Sequence, residues 1–469
     1  MTRKFIVIFA TVILAGCATM APKYSRPASP VPAAWPVGPA YKKAAGKPAK
    51  AAADIPWKRF FLARNLRNII SLALKNNRDL RVATLNIERS RAQYRIQRSN
   101  LFPKIDAFAD ADLQGVPREL SVTGHNETAQ EYDVGLGMSS YELDLFGRIR
   151  SLKEQALNQY FATEQARRSV QISLVAQVAF SYLDFAADQE RYSLAEETLS
   201  TQQNYYRLVK NRFEDGIASA LDVQQAKTSV EAARFDIAYY MTVAAQDENA
   251  LNLLSGAPVP ASLLPGKLSD RLTSLKDITP GLPSETLLNR PDILQAEDLL
   301  KAANANIGAA RAAFFPRITL VSSVGLGSDD LAGLFKPGSF AWKFAPQITV
   351  PIFNAGSNRA NLKVSETDKK IAVADYEKAV QTAFREVADA LAERGTIDEQ
   401  LAAQQALTDA DALSYRLAKA RYEQGVDSYL NVLESQRSLY AAQQNLISAR
   451  LARLANLVTL YKVLGGGSI

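Results

Sequence analysis

The sequence predicts an α+β membrane protein: four β-strands per chain belonging to a barrel shared between subunits, long coiled-coil helices, and an internal duplication. Three observations point there. Stretches near 105–138 and 318–352 alternate apolar and polar residues with period two. Four runs are long and almost free of helix breakers. The phrase RFEDGIASALDVQQA, starting at Arg212, returns as RYEQGVDSYLNVLES at 421–435.

The N-terminus, MTRKFIVIFATVILAGCATM, opens on Arg3 and Lys4 and continues through an apolar run from Phe5 to Leu14. That run is too short to span a bilayer and fits a signal peptide over residues 1–16. It ends in Leu14-Ala15-Gly16-Cys17, which resembles a bacterial lipobox, so Cys17 is the expected lipidation site. An ordinary signal peptide with an accidental cysteine is the alternative. Ala18 follows where an aspartate, by resemblance to known lipoproteins, would hold the chain at the inner membrane. Cys17 is the only cysteine, so disulfides play no part. Residues 17–56, rich in Pro, Ala and Lys, read as an extended tether.

The duplication has four ordered matches. LKNNRDLRVA at Leu74 pairs with LLNRPDILQA at Leu287, and SNLFPKI at Ser99 with AAFFPRI at Ala312. YELDLFG at Tyr141 pairs with TVPIFNAG at Thr349, and the opening phrases complete the set. The chain is read as two copies, 57–255 and 284–464, with a linker at 256–283 and a tail at 465–469.

Each copy begins with a helix, expected over 60–100 and 284–313. Hairpins follow over 103–146 and 315–354. Ile105, Ala107, Ala109 and Ala111 alternate with Asp106, Phe108, Asp110 and Asp112; Tyr132, Val134, Leu136 and Met138 alternate with Asp133, Gly135, Gly137 and Ser139. The second hairpin carries Ile318, Leu320, Ser322, Val324 and Leu326, then Phe340, Trp342, Phe344, Ile348, Val350 and Ile352. Taken alone, each could be a soluble hairpin with one wet face. The helices decide for a membrane assembly: Arg148 to Asp215 contains neither Pro nor Gly, and Asn358 to Gln424 only Gly395. Such a helix extends roughly 100 Å, which no compact domain needs. Ile217–Ser255 and Val426–Leu464 are equally unbroken. The quoted phrases therefore mark the tips of two helical hairpins, near 216 and 425. Gly216 and Gly425 end one helix, while Ser219 and Ser428 can cap the next.

Four strands cannot close a barrel, and open edges in lipid are costly, so subunits must share one. Three chains supply twelve strands, with the Asp/Gly/Ser faces lining a bore. A net charge of +7, from 55 basic and 48 acidic residues, is scattered and gives nucleic-acid binding no support. One histidine, His125, and one cysteine exclude the usual metal sets and Cys-His nucleophiles, so no enzyme, metal or cofactor beyond a lipid on Cys17 is expected. Asp329-Asp330 lies in a polar loop and reads as solvated.

Together the lipobox, Tyr24-Ser25-Arg26-Pro27, TLNIERSRAQYRIQRSNLFPKI, YELDLFGRIRS, LLNRPDI, AARAAFFPRITL, the PIFNAG turn and the paired tips resemble the TolC-type outer-membrane factors. The closest likeness is to the OprM-type lipoprotein branch of tripartite efflux pumps. The resemblance covers essentially the whole mature chain. It implies a homotrimeric channel with an outer-membrane barrel and a helical periplasmic tunnel. It also implies docking to a periplasmic adaptor and, through it, to a proton-driven RND-type inner-membrane transporter. By position, Leu430 and Glu434 match apolar and acidic rings of a periplasmic gate, and Asp222 matches a residue holding the closed state. Arg212, Gly216, Arg421 and Gly425 match adaptor-contacting tip positions; for the arginines, helix-dipole compensation is the alternative, and the two are compatible. Asn431 stands where TolC has a second acidic residue, and Asp427 where it has the arginine partner of the Tyr422 position, so that latch does not transfer unchanged. The rival function is a lipid-anchored periplasmic coiled-coil scaffold without channel activity.

Overall fold

The computed structural model of the chain describes residues 19–41, 52–269 and 287–467, so Cys17 lies outside the described residues. Helices α1 (Trp57–Phe60), α2 (Arg64–Asn76) and α3 (Arg78–Ser99) lead into strands β1 (Asp106–Val116) and β2 (Glu127–Leu143). Then come α4 (Arg148–Glu214), α5 (Ala220–Ser255), α6 (Pro291–Ala312), β3 (Arg317–Ser328) and β4 (Phe340–Thr349), and finally α7 (Ser357–Glu423) and α8 (Tyr429–Val463). Two compact units emerge. One comprises the described residues within 1–27, 86–163 and 295–376; the other, those within 28–85, 164–294 and 377–469. Each draws on both sequence copies.

The first unit holds one antiparallel sheet in the order β1-β2-β3-β4. Its pairing separates two faces, because residues directly opposite share a side. Asp110 faces Asp133, Asp112 faces Glu131, and Asp133 in turn faces Gly327, which makes one face acidic and small. On the other, Val134 faces Leu326 and Val324 faces Trp342, with Phe344, Phe340 and Ile348 all exposed. Two glycines are sterically required: a Cβ on Gly135 would stand 2.5 Å from the Val324 carbonyl oxygen, and one on Gly325 would meet that of Val134. Val350 and Ile352, expected in the last strand, lie beyond its end at Thr349.

The passage from sheet to helix is tied by charge. Glu142, its side chain 9% exposed, accepts from Arg148 at 2.6 Å and from Arg317 at 2.7 Å. Asp144 accepts the backbone N–H groups of Ile149 (3.0 Å) and Arg150 (2.9 Å), satisfying the orphan donors at the start of α4. The tether is more than a loose spacer here. Tyr24 and Arg26 bond Glu297 of α6 at 3.1 and 2.7 Å, and the Asn304 amide donates to the Pro22 carbonyl at 2.8 Å. Composition does not reveal such docking, since the anchors are single residues in a Pro/Ala-rich run.

In the second unit the helix expected over 60–100 is broken at Asn77, whose extended backbone (φ −58, ψ 133) ends α2. Its side chain then caps α3 by accepting the Leu80 N–H at 2.9 Å and donates to the Leu254 carbonyl at 2.9 Å. No Pro or Gly marks this break, and helical periodicity runs straight through it. Pro291 opens α6 at the first helical position, where its missing N–H costs nothing. The expected start of this helix at 284 lies outside the described residues. Core contacts include Phe60 stacked on Tyr461 at 3.9 Å between ring centroids, and Trp35 stacked on Phe384 at 5.0 Å. Buried Arg290 pairs with Asp292 (2.6 Å) and Glu386 (2.8 Å) and donates to the Val463 carbonyl at 2.9 Å. Among the described residues one helix, α4, has a window apolar enough to cross a membrane by length and composition, but 61% of that window is buried inside the protein.

Candidate functional site

The two tips are built by the same local chemistry. After α4, the Gly216 N–H bonds the Phe213 carbonyl at 3.0 Å and the Ile217 N–H bonds that of Arg212 at 2.8 Å. After α7, the Gly425 N–H bonds Tyr422 at 3.0 Å and the Val426 N–H bonds Arg421 at 2.9 Å. This is the Schellman closure, and it needs a left-handed residue; Gly216 and Gly425 have φ of 74° and 75°. The returning helices differ. Ser219 and Asp222 form a reciprocal capping box at the start of α5, with the Asp222 carboxylate accepting the Ser219 N–H at 2.9 Å. Ser428 takes the N-cap conformation but its side chain makes no cap bond. The third residue there is Asn431, whose side chain makes no bond back to Ser428, so the reciprocal partner is missing.

Both tips share one core. Tyr205 and Val209 of α4, Ala226 of α5, Tyr422 of α7, and Tyr429, Val432 and Leu433 of α8 pack together. The guanidinium of Arg212, from the first copy, sits 4.7 Å from the Tyr422 ring centroid, from the second. Arg421 instead pairs with Asp427 of its own turn at 2.6 Å. Burial pushes the Tyr205 and Tyr429 hydroxyls upward, the latter to about 12, so both stay neutral at physiological pH. Sequence reading missed this tyrosine cluster; Tyr205 and Tyr415, about three helical turns before the tip glycines, with Tyr422 and Tyr429 beside Gly425, were the available signal.

Burial sorts the candidate gate residues. Tyr429, Val432, Leu433 and Gln436 of α8 are buried, whereas Leu430 is 46% exposed and Glu434 is exposed on the same face one turn on. Among the described residues no cation pairs with Glu434. In the first copy the corresponding positions are Leu221, 65% exposed, and half-buried Gln225. Asp222 is engaged within its own turn, and Arg212 and Arg421 both have partners. The described residues contain no group of His, Cys, Asp or Glu able to hold a metal ion.

A family model, "Outer membrane efflux protein", matches residues 69–257 and 282–466. A toluene efflux pump outer membrane protein, TtgC of Pseudomonas putida, is 50% identical over 467 residues, covering 100% of this chain and 96% of the relative. An antibiotic efflux pump outer membrane protein, ArpC of Pseudomonas putida, is equally similar, at 50% over 467 residues with the same coverage. Among solved structures, the open state of the MtrE outer membrane channel of Neisseria gonorrhoeae superposes with a TM-score of 0.86 at 41% identity, covering 96% of this chain and 98% of that one.

Proposed function

This chain belongs to the outer membrane efflux protein family and is the outer-membrane channel of an efflux pump, and we propose that three copies close one barrel and one helical duct. The carrying observation is the sheet: β1 and β4 are edges, one face is apolar with Trp342 and Phe344 exposed, and the other bears Asp110, Asp112 and Asp133. In lipid those edges must be paired, and β4 of one copy against β1 of the next does so without a new strand. The directly opposed Asp110 and Asp133 repel unless water screens them, which suits a wet bore. Heat-resistant trimer bands in detergent and ion conductance in planar bilayers test the assembly. A water-soluble monomer without conductance, as a coiled-coil scaffold would give, would sink it.

Further parts of the reading concern the tips and the N-terminus. Exposed Leu430 and Glu434, repeated around a threefold axis, form an apolar and an acidic ring that narrow the duct, and Asp222 supports the closed state by fixing the first turn of its own helix, α5, through the cap on Ser219. Dewetting at the leucines blocks solute, and the carboxylates repel anions. Replacing Leu430 with Ala and Glu434 with Gln together raises single-channel conductance by about twofold or more; an unchanged conductance would count against these positions. Arg212, Gly216, Arg421 and Gly425 present the surface that meets a periplasmic adaptor, through which an RND-type transporter supplies the energy. Cys17 carries the lipid anchor, which mass spectrometry of the mature N-terminus checks. Two equally similar relatives bear toluene and antibiotic names. The duct is accordingly a passive exit for organic compounds, and selection lies with the transporter.

A further inference from the structure

The two copies of the repeat treat one helix face differently. Since SNLFPKI at 99–105 aligns with AAFFPRI at 312–318, Arg91, Arg95 and Arg98 of α3 occupy the positions of Asn304, Gly308 and Arg311 of α6. On α6 the chain's own N-terminal segment covers that face. Asn304 donates to the Pro22 carbonyl at 2.8 Å and Arg311 to that of Met20 at 3.3 Å. A Cβ on Gly308 would stand 2.7 Å from the Ala21 nitrogen, so only glycine admits the segment there. Each chain has one N-terminus for two such faces. On α3 the face carries three arginines instead, all exposed, and among the described residues none of them joins an ion pair.

The spacing i, i+4, i+7 puts the three guanidiniums in one row along about 10 Å of helix. Just past Arg98 the character changes. Phe102, whose N–H still bonds the Ser99 carbonyl at 3.0 Å, is 59% exposed, and Ile105 is 69% exposed. β1 begins at the next residue, Asp106. A cationic row thus ends where exposed apolar side chains begin, at the foot of a membrane-spanning strand. That order, charge and then grease, is the order of a phospholipid read from headgroup to acyl chain. Arginine forks bind phosphate oxygens in pairs, and juxtamembrane basic clusters draw anionic lipid.

We propose that Arg91, Arg95 and Arg98 form a binding site for anionic phospholipid headgroups of the periplasmic leaflet, on the α3 face whose α6 counterpart is closed by the N-terminal segment. The site rests on the placement of the sheet in the outer membrane. Its probes are phosphatidylglycerol and phosphatidylethanolamine, offered in equal amounts to the delipidated full-length protein in detergent, with bound lipid counted by native mass spectrometry. The parent retains phosphatidylglycerol in preference by on the order of tenfold. R91Q/R95Q/R98Q binds both alike, and R91K/R95K/R98K keeps most of the preference because charge survives while the fork is lost. Three results overturn the site: no preference in the parent, an unchanged preference in the glutamine variant, or loss of subunit assembly in that variant with its lipid ratio intact, which marks a subunit interface. Bilayer conductance of the same preparations is a separate readout. A non-conducting parent refutes the channel reading, whereas a conducting parent without lipid preference refutes only the lipid site.

Discussion

At the scale of single residues, the tips show how two copies of one phrase keep a shape and lose an equivalence. The glycine closure is identical at both because its requirement is steric: no L side chain sits comfortably at φ 74° or 75°. The caps diverge because a capping box needs an acid or amide that reaches back, and Asp222 does so where Asn431 does not. Asp222→Ala therefore frays the first turn of α5 by about 1 kcal/mol, while Ser428→Ala changes the first turn of α8 by only a few tenths. Hydrogen exchange at the two sets of amides measures both. Equal fraying at the two tips would refute the assignment of Asp222 to a local cap.

At the scale of elements, α4, α5 and α8 are joined by polar contacts that helical periodicity does not announce. Arg191 of α4 donates to the Ser448 hydroxyl at 2.8 Å, Arg450 pairs with Glu190 at 2.6 Å, and Tyr440 donates to Asp236 at 2.9 Å. Within this cluster burial, together with the charge and hydrogen bond of Asp188 and the charge of Asp184, pushes the Asp247 carboxyl up to about 7, against the opposing pull of Arg191. The folded chain thus holds a proton that an unfolded chain, with the ordinary value of 3.8, has released. The stability this contributes is full below pH 3.8, is lost as pH rises toward about 7, and is flat beyond. Asp247→Asn removes that slope. Discounted for partial exposure, the variant gains about 1 kcal/mol over the parent at pH 8 and nothing at low pH, read from thermal midpoints of the detergent-solubilised protein. A parallel pH dependence in parent and variant would refute the proton held on Asp247.

At the scale of the whole molecule, the decisive fact is what one chain leaves unfinished: two open strand edges, an exposed aromatic strand face and exposed Leu430 and Glu434. Trp342 is 71% exposed in the single chain, on the face assigned to lipid. Trp342→Arg should cost about 2–4 kcal/mol if that residue lies near the bilayer midplane. The readout is heat-resistant trimer on gels, which falls in the variant. Undiminished trimer would place that face in water and reverse the assignment of the two sheet faces.

Period-two alternation in the hairpins, breaker-free helices and the repeated tip phrase are local properties, and they were legible because each depends on residues a few positions apart. Gly216 and Gly425 could be placed at turns from sequence because a glycine between two helical runs has few other uses. Long-range facts were not legible. The docking of Tyr24 and Arg26 on Glu297 joins residues 273 and 271 positions apart, and no spacing rule encodes it. The break at Asn77 comes with a bond to Leu254, an unbroken helical pattern notwithstanding. The tyrosine core under the tips, and with it the contrast between buried Leu433 and exposed Leu430, appears only when four helix ends meet. Sequence determined the parts and their order, because propensity and pattern act locally. Tertiary structure decided which copy's face is covered, capped or left open, because a duplicated chain has two of each site but only one N-terminus and one set of neighbours.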